Sequence, residues 1–329
     1  VTIAEEVRAE CAQVAAQAKH VRIDLAACAE VAPSAPPPLD AECHYLEGEP
    51  ADVADYMLAL DAINFGSGWF PTLRKRELHG RPVSGYFTVA WSLADRVRSH
   101  GPPRSEWLSQ VSAPEIAAIL DQDPSHELMS LYAQALRELG RFLSREGGAT
   151  DPAADDYATA TTDAQGRAPR APTRTQRRAL DLVAEADGSA VRLAKMLAAG
   201  MPMWRDRGFY KRAQIVASDL ALAGVAEFDD LDRLTIFADN LVPHVLRCDG
   251  VLVYDDALAA RIDAGECLPL GGAEREIRAC ALHACALISQ RTGVSERELD
   301  NWLWTRGQGG GRGTQYKARS RHRCRCVFY

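Results

Sequence analysis

The sequence predicts a mainly α-helical protein: a single large helical domain with a small β-hairpin and a terminal strand. Three observations support this. Apolar residues recur at three- and four-residue spacing along most of the chain. Ser, Thr or Asp stands just ahead of many of those runs, several times with Glu three residues later. Strand-like alternation is confined to two short stretches. The chain has 329 residues, 47% hydrophobic and 25% charged, enough to bury a sizeable core. It holds no apolar run of membrane-spanning length.

Residues 2–31 read as one amphipathic helix, with Ile3, Val7, Cys11, Val14 and Ala18 on one face and Thr2 with Glu5 as a capping box. Four prolines between Pro33 and Pro38 break it, so 1–38 is expected to be an N-terminal helix and linker ahead of a main domain over 39–329. A second helix, 51–63, leads into Asn64-Phe65-Gly66-Ser67-Gly68-Trp69-Phe70. Two glycines beside aromatics there mark either a close approach or a turn packing aromatics on the core. His79-Gly80-Arg81-Pro82 has turn chemistry between 73–78 and 83–89, which gives the hairpin. Helices follow from Trp91, over 112–120 and over 126–143. Residues 147–174 are rich in Ala, Thr, Asp and Pro, and Tyr157 is almost their only large apolar side chain, so a flexible insertion is expected. Helical patterning resumes over 176–184, 189–197, 209–222, 256–264, 273–291 and 296–304. Cys324, Cys326 and Phe328 then alternate with Arg323, Arg325 and Val327 as a terminal strand.

One stretch stands out, Thr235 to His244. The apolar run from Leu234 to Ala238 delivers a single carboxylate, Asp239, and Pro243 with the resumed periodicity reads as a helix start. Asp239 is therefore either a plain N-cap or a reactive carboxylate held where the dipole favours negative charge. Lys211 and Arg212, near the start of another helix, fit either a surface pair or an anion site.

Net charge is −7, which argues against whole-surface attraction to nucleic acid. Seven Lys or Arg and no carboxylates occur between Arg306 and Arg325, either a solvated tail or a phosphate-attracting rim. The nine cysteines form no CxxC pair, and their odd number argues against a disulfide framework. His322 with Cys324 and Cys326 has the wrong spacing for zinc. The N-terminal stretch lacks the order of a signal peptide, so a cytoplasmic location is expected.

Several short motifs together carry a resemblance. They are Ile63-Asn64-Phe65 with Trp69, Gly85-Tyr86, Phe209 through Ile215, Thr235 to Asp239 with Pro243, Glu276-Ile277-Arg278, Leu299-Asp300 with Leu303-Trp304, and Cys326 to Tyr329. In order and spacing, from about His44 onward, these resemble the queuosine salvage family of N-glycosylases, which release queuine from queuosine 5'-phosphate. The resemblance implies a helical fold similar to base-excision DNA glycosylases. It also implies a small-molecule nucleotide partner, without cofactor, metal, membrane or stable nucleic-acid partner.

By position in the motifs, Asp239 is the catalytic carboxylate and Phe237 and Asn240 flank it. Lys211 and Arg212 are the phosphate candidates. Asp300 is associated with base binding and is expected to partner the charged arm of the base. Asn301 neighbours it, Trp302 and Trp304 are available to wall the base, and His44 lines the site. Two departures concern that recognition: Asn301 stands where the family often has an aromatic, and Thr305 where it often has a second acid. Two alternatives are a base-flipping nucleic-acid glycosylase, disfavoured by the acidic balance, and a non-catalytic modified-nucleotide binding protein, disfavoured by retention of Asp239.

Overall fold

A computed structural model describes residues 1–144, 176–308 and 315–329. The insertion expected over 147–174 lies outside the described residues. Among those residues are fourteen α-helices and two two-stranded sheets. In chain order they are α1 (Ile3–Gln17), β1 (Val21–Ile23), α2 (Leu25–Glu30), α3 (Pro50–Ala62), β2 (Glu77–Leu78), β3 (Arg81–Pro82), α4 (Gly85–His100), α5 (Ser105–Gln110), α6 (Ala113–Leu120) and α7 (Glu127–Leu143). Then come α8 (Ala179–Glu185), α9 (Ala190–Gly200), α10 (Lys211–Leu222), α11 (Val242–Cys248), β4 (Leu252–Tyr254), α12 (Asp256–Asp263), α13 (Ala273–Thr292) and α14 (Glu296–Gln308). None of the described helices is long and apolar enough to cross a membrane.

Three local expectations are corrected. The N-terminal helix stops at Gln17, where Glu276 on α13 accepts the backbone N–H groups of Lys19 and His20 at 2.9 and 2.7 Å. The chain turns into β1, antiparallel to β4 with Val21 opposite Tyr254, and Asp24 caps a separate helix. Periodicity within one segment carries no sign of a carboxylate 257 residues away. The second arm of the hairpin is only Arg81–Pro82, joined to β2 by His79 and Gly80, both at positive φ as a tight two-residue turn requires. The chain then enters α4 at Gly85, with Ser84 accepting the Phe87 N–H as N-cap.

The C-terminal stretch is not a strand. Its one ladder contact is an isolated parallel bridge between Arg323 and Cys267. The alternation is real as burial, with His322, Cys324 and Cys326 inside and Arg325 out. These residues pack onto the glycine loop rather than into a sheet. Gly66 and Ser67 donate their N–H groups to the Tyr329 carbonyl oxygen at 2.9 and 3.4 Å. A Cβ on Gly68 would lie 2.3 Å from the Cys324 carbonyl oxygen, so only glycine admits that approach.

Two apolar cores meet along one segment. The first is built by α3 through α10, with Tyr56, Phe65, Tyr132 and Trp204 among its large buried side chains. The second gathers α1, β1, α11, β4, α12, α13 and α14 around Val7, Val245, Ile277, Cys280 and Leu303. Residues 234–241 run between them. Leu234 and Phe237 enter the first core, and Ile236, Ala238 and Leu241 enter the second. The seam therefore holds the segment from both sides and exposes little of it except Asp239.

Candidate active site

An extended segment has no hydrogen bonds of its own, so buried polar groups along it need partners from elsewhere. Here they come from side chains. Gln214 of α10 donates to the Thr235 hydroxyl at 2.8 Å and accepts the Thr235 N–H at 3.0 Å. Asp300 of α14 accepts the Phe237 N–H at 2.8 Å. Arg278 of α13 donates to the Ala238 carbonyl oxygen at 2.8 Å and is itself paired with Asp206. Phe209 and Tyr329 cover its guanidinium at 3.8 and 4.5 Å from their ring centroids. Asp239 follows. Its Oδ1 accepts the N–H groups of Leu241 and Val242 at 2.6 and 3.1 Å, at the opening of α11. The cap residue of α11 is Leu241 rather than Asp239, so the plain N-cap expectation is corrected: Asp239 stands two residues ahead of the cap, gives one oxygen to the first N–H groups and still lines a cavity.

That cavity has two lobes. Asn64, Tyr86, Lys211, Asp239, Trp304 and Gln308 line both of them. The larger lobe, about 560 Å³, is basic and hydroxyl-rich, with Lys75, Arg321, Arg323, Ser67, Ser84 and Ser320. The Ser67 hydroxyl is buried without a partner among the described residues. Burial pushes the Lys75 ammonium down to about 8. Lys211 donates to both the backbone and side-chain oxygens of Asn64 at 2.9 and 2.8 Å, which leaves one of its three N–H donors for a ligand.

The smaller lobe, about 310 Å³, is aromatic and acidic. Phe237, Tyr86, Phe87 and Trp304 form its walls, with Trp304 edge-on to Tyr86 and Phe87 at 5.3 and 5.7 Å. Its carboxyls are Asp40, Asp219, Asp239 and Asp300. Burial, and then repulsion from Asp239, push Asp300 up to about 8. His44 also lines this lobe, its Nδ1 at 2.7 Å from the Asp40 carbonyl oxygen and its Nε2 at 3.0 Å from the Tyr86 hydroxyl. Burial lowers the His44 pKa. A neutral ring donating from Nδ1 and accepting the Tyr86 hydroxyl proton at Nε2 satisfies all three groups.

The structure brings together His44, Lys211, Phe237, Asp239, Asn240, Asp300, Asn301 and Trp304 around one cleft, with Thr305 beside them. It does not bring Arg212. That guanidinium points into the first core, bonded to the carbonyl oxygens of Ala62 and Met203 and stacked on Phe65 and Trp204. Successive residues on a helix point about 100° apart, and here that offset sends Lys211 to the cleft and Arg212 into the core. Trp302 also lies elsewhere, donating to Ser34 at 3.0 Å under the Arg306 guanidinium. Sequence reasoning missed Lys75, Phe87, Asp61 and Asp219. The acids carry a readable signal, since each interrupts a helix face otherwise destined for the core. Of the basic tail, Arg321 and Arg323 reach the larger lobe.

Comparison with known proteins gives one consistent result. A family model described as queuosine salvage protein matches residues 170–329. A queuosine 5'-phosphate N-glycosylase/hydrolase from Sphaerobacter thermophilus is 33% identical, covering 96% of this chain and 95% of its own. Its namesake from Mus musculus is 25% identical over 87% of this chain and 85% of its own, and that from Bos taurus 26% identical over 76% and 73%.

Proposed function

This chain belongs to the queuosine salvage protein family, and on that premise we propose that it hydrolyses the N-glycosidic bond of queuosine 5'-phosphate, releasing queuine and ribose 5-phosphate. The observation that carries the reading is the position of Asp239, the carboxylate shared by a basic lobe and an aromatic, acidic lobe. A nucleotide laid across that junction has its phosphate among Lys75, Lys211, Arg321 and Arg323 and its base between Tyr86, Phe237 and Trp304. The anomeric carbon then falls beside Asp239.

The chemistry follows from that placement. As the bond to the base breaks, positive charge grows on the ribose, and a fixed carboxylate stabilises it more than it stabilises the ground state. Asp239 needs no reorganisation to do so, because two backbone N–H groups already hold its Oδ1. Asp300, the carboxyl pushed up to about 8, keeps its proton near neutral pH and is the candidate donor to the departing base. A carboxyl that keeps its proton beside the fixed Asp239 side chain fits the pattern of paired acid and stabiliser. His44 and Asn301 remain candidates for contacts to the base, and Asn240, which donates to the His322 carbonyl oxygen at 3.2 Å, fixes the loop beside Asp239.

The proposed setting is the cytosol, supported by nine cysteines in odd number without a pairing motif. The deciding assay is incubation with queuosine 5'-phosphate and mass detection of the freed base. Release of the base carries the proposal, and an intact nucleotide after prolonged incubation with folded protein sinks it.

A further inference from the structure

The aromatic lobe holds more carboxyls than its cations can match. Among the described residues, Lys211 is the one Lys or Arg that lines it, against Asp40, Asp219, Asp239 and Asp300. Asp219, on α10, is 6% exposed, and its carboxyl meets no N–H or hydroxyl donor among the described residues. Behind it Asp61 of α3 is fully buried. One Asp61 oxygen accepts the Asn64 amide at 3.3 Å, and Oδ2 has no donor among the described residues. A single proton shared between the Asp61 and Asp219 carboxyls gives Asp61 Oδ2 the partner it lacks. Burial and mutual repulsion raise the pKa of Asp219, and burial raises that of Asp61.

We propose that Asp219 is the specificity residue for a cationic arm on the base, sharing one proton with Asp61 in the empty lobe and losing it when an ammonium group docks. The inference rests on the reading of the cleft as a nucleotide glycosylase site. One cation enters and one proton leaves to solvent, so the net charge of the lobe is unchanged. The other charged or titratable groups around Asp219 are Lys211 on its own helix, Tyr86 of α4, Asp239 of the extended segment, and Asp300 and Arg297 of α14, with His44 and Asp40 lining the same lobe. Lys211 gives two of its three donors to Asn64, and Asp300 Oδ1 accepts the Phe237 N–H, which leaves Asp219 as the buried acid of the lobe without a fixed donor among the described residues. The aromatic walls add π faces that favour a cation.

The test uses two bases that cannot be cleaved: free queuine, which carries the arm, and 7-deazaguanine, which lacks it. Calorimetric titration of the intact chain in buffers of different ionisation enthalpy should show about one proton released per queuine and none for 7-deazaguanine. The queuine Kd should tighten by up to about tenfold per pH unit as pH rises toward the titration of the pair. Asp219→Asn should abolish the release and weaken queuine at least about tenfold while sparing 7-deazaguanine. Asp61→Asn should abolish the release yet keep the preference for queuine, because an amide at that position donates to an ionised Asp219. Undiminished release by Asp219→Asn overturns the assignment, as does equal release with both bases. If queuine does not bind the wild-type chain this inference fails, whereas the glycosylase reading stands or falls separately on base release from queuosine 5'-phosphate.

Discussion

Arg278 donates to the carbonyl oxygen of Ala238 at 2.8 Å, one residue before the Asp239 carboxylate, while its other face pairs with Asp206. The anchor is deep, with the arginine 1% exposed, so the position of Asp239 is set from a helix with no described residue lining the cleft. Arg278→Lys keeps a charge but cannot span Asp206 and Ala238 together. It should lower kcat about tenfold or more with little change in KM. Arg278→Met strands Asp206 and Glu274 and should destabilise the fold by about 3–5 kcal/mol. Urea titration and steady-state kinetics check both, and an unimpaired kcat in the lysine variant would remove the anchoring role.

Asp239→Asn preserves shape and one acceptor for the α11 N–H groups but removes the negative charge. The rate should fall by about 10²–10³, or further if the carboxylate attacks the ribose directly. Nucleotide affinity should persist, measured by calorimetry. Turnover near wild type would dismiss Asp239 as the catalytic group.

Asp300 gives the alkaline limb. Its carboxyl is pushed up to about 8 from an ordinary 3.8, so the proton available to the leaving base is present below that pH and lost above it. The kcat/KM profile should decline above about pH 8, and Asp300→Asn should flatten the decline at a cost of about 10²–10⁴ in rate. The same shift acts on stability. The folded state keeps a proton that the unfolded chain releases, so the stability contributed by protonated Asp300 is complete below the unfolded value and falls as pH rises through the folded one. The Asn variant should therefore lose less Tm than the wild type between pH 6 and 8.5.

Phosphate recognition should depend on Lys211 and Arg321, the latter largely enclosed by the larger lobe. Charge-assisted contacts of about 1.5–3 kcal/mol make the 5'-phosphorylated nucleotide preferred over the nucleoside by roughly tenfold or more. Arg321→Ala should erode that preference mainly through the nucleotide's KM. Arg212→Lys should instead lower stability and leave the preference intact, because that side chain serves the first core.

Acid sensitivity should come from two buried histidines. Burial pushes His322 down to about 3 and His244 down to about 4. Their folded values lie below the unfolded one, so their stability is complete above about 6.5 and is lost as pH falls, at up to about 1.4 kcal/mol per pH unit for each. His244 sits at 2.7 Å from the Tyr316 carbonyl oxygen, and a neutral Nε2–H donates to it. His244→Gln keeps a donor there without titrating. Its Tm should fall less than that of the wild type between pH 7 and 5, and an identical fall would rule out His244 as a source.

The helices were legible because their determinants are local. Thr2 with Glu5, Ser112 with Glu115 and Ser295 with Glu298 form capping boxes within four residues, and the apolar faces they open repeat at helical spacing. That Asp239, Asp300, Lys211 and Trp304 gather at one cleft was legible by the order of their motifs. What the chain could not show locally was direction and partnership between distant residues. Lys211 and Arg212 are neighbours in sequence with opposite destinations, and Trp302 and Trp304 divide in the same way between surface and cleft. Asp61 and Asp219 lie far apart in the chain, and only the packing of α3 against α10 makes them a pair. The C-terminal alternation reads as a strand because period two describes burial, whereas pairing requires a partner edge, and here the partner is a glycine loop. Tertiary packing also desolvates these groups, which is why the raised carboxyls and depressed histidines belong to the fold and not to the sequence alone.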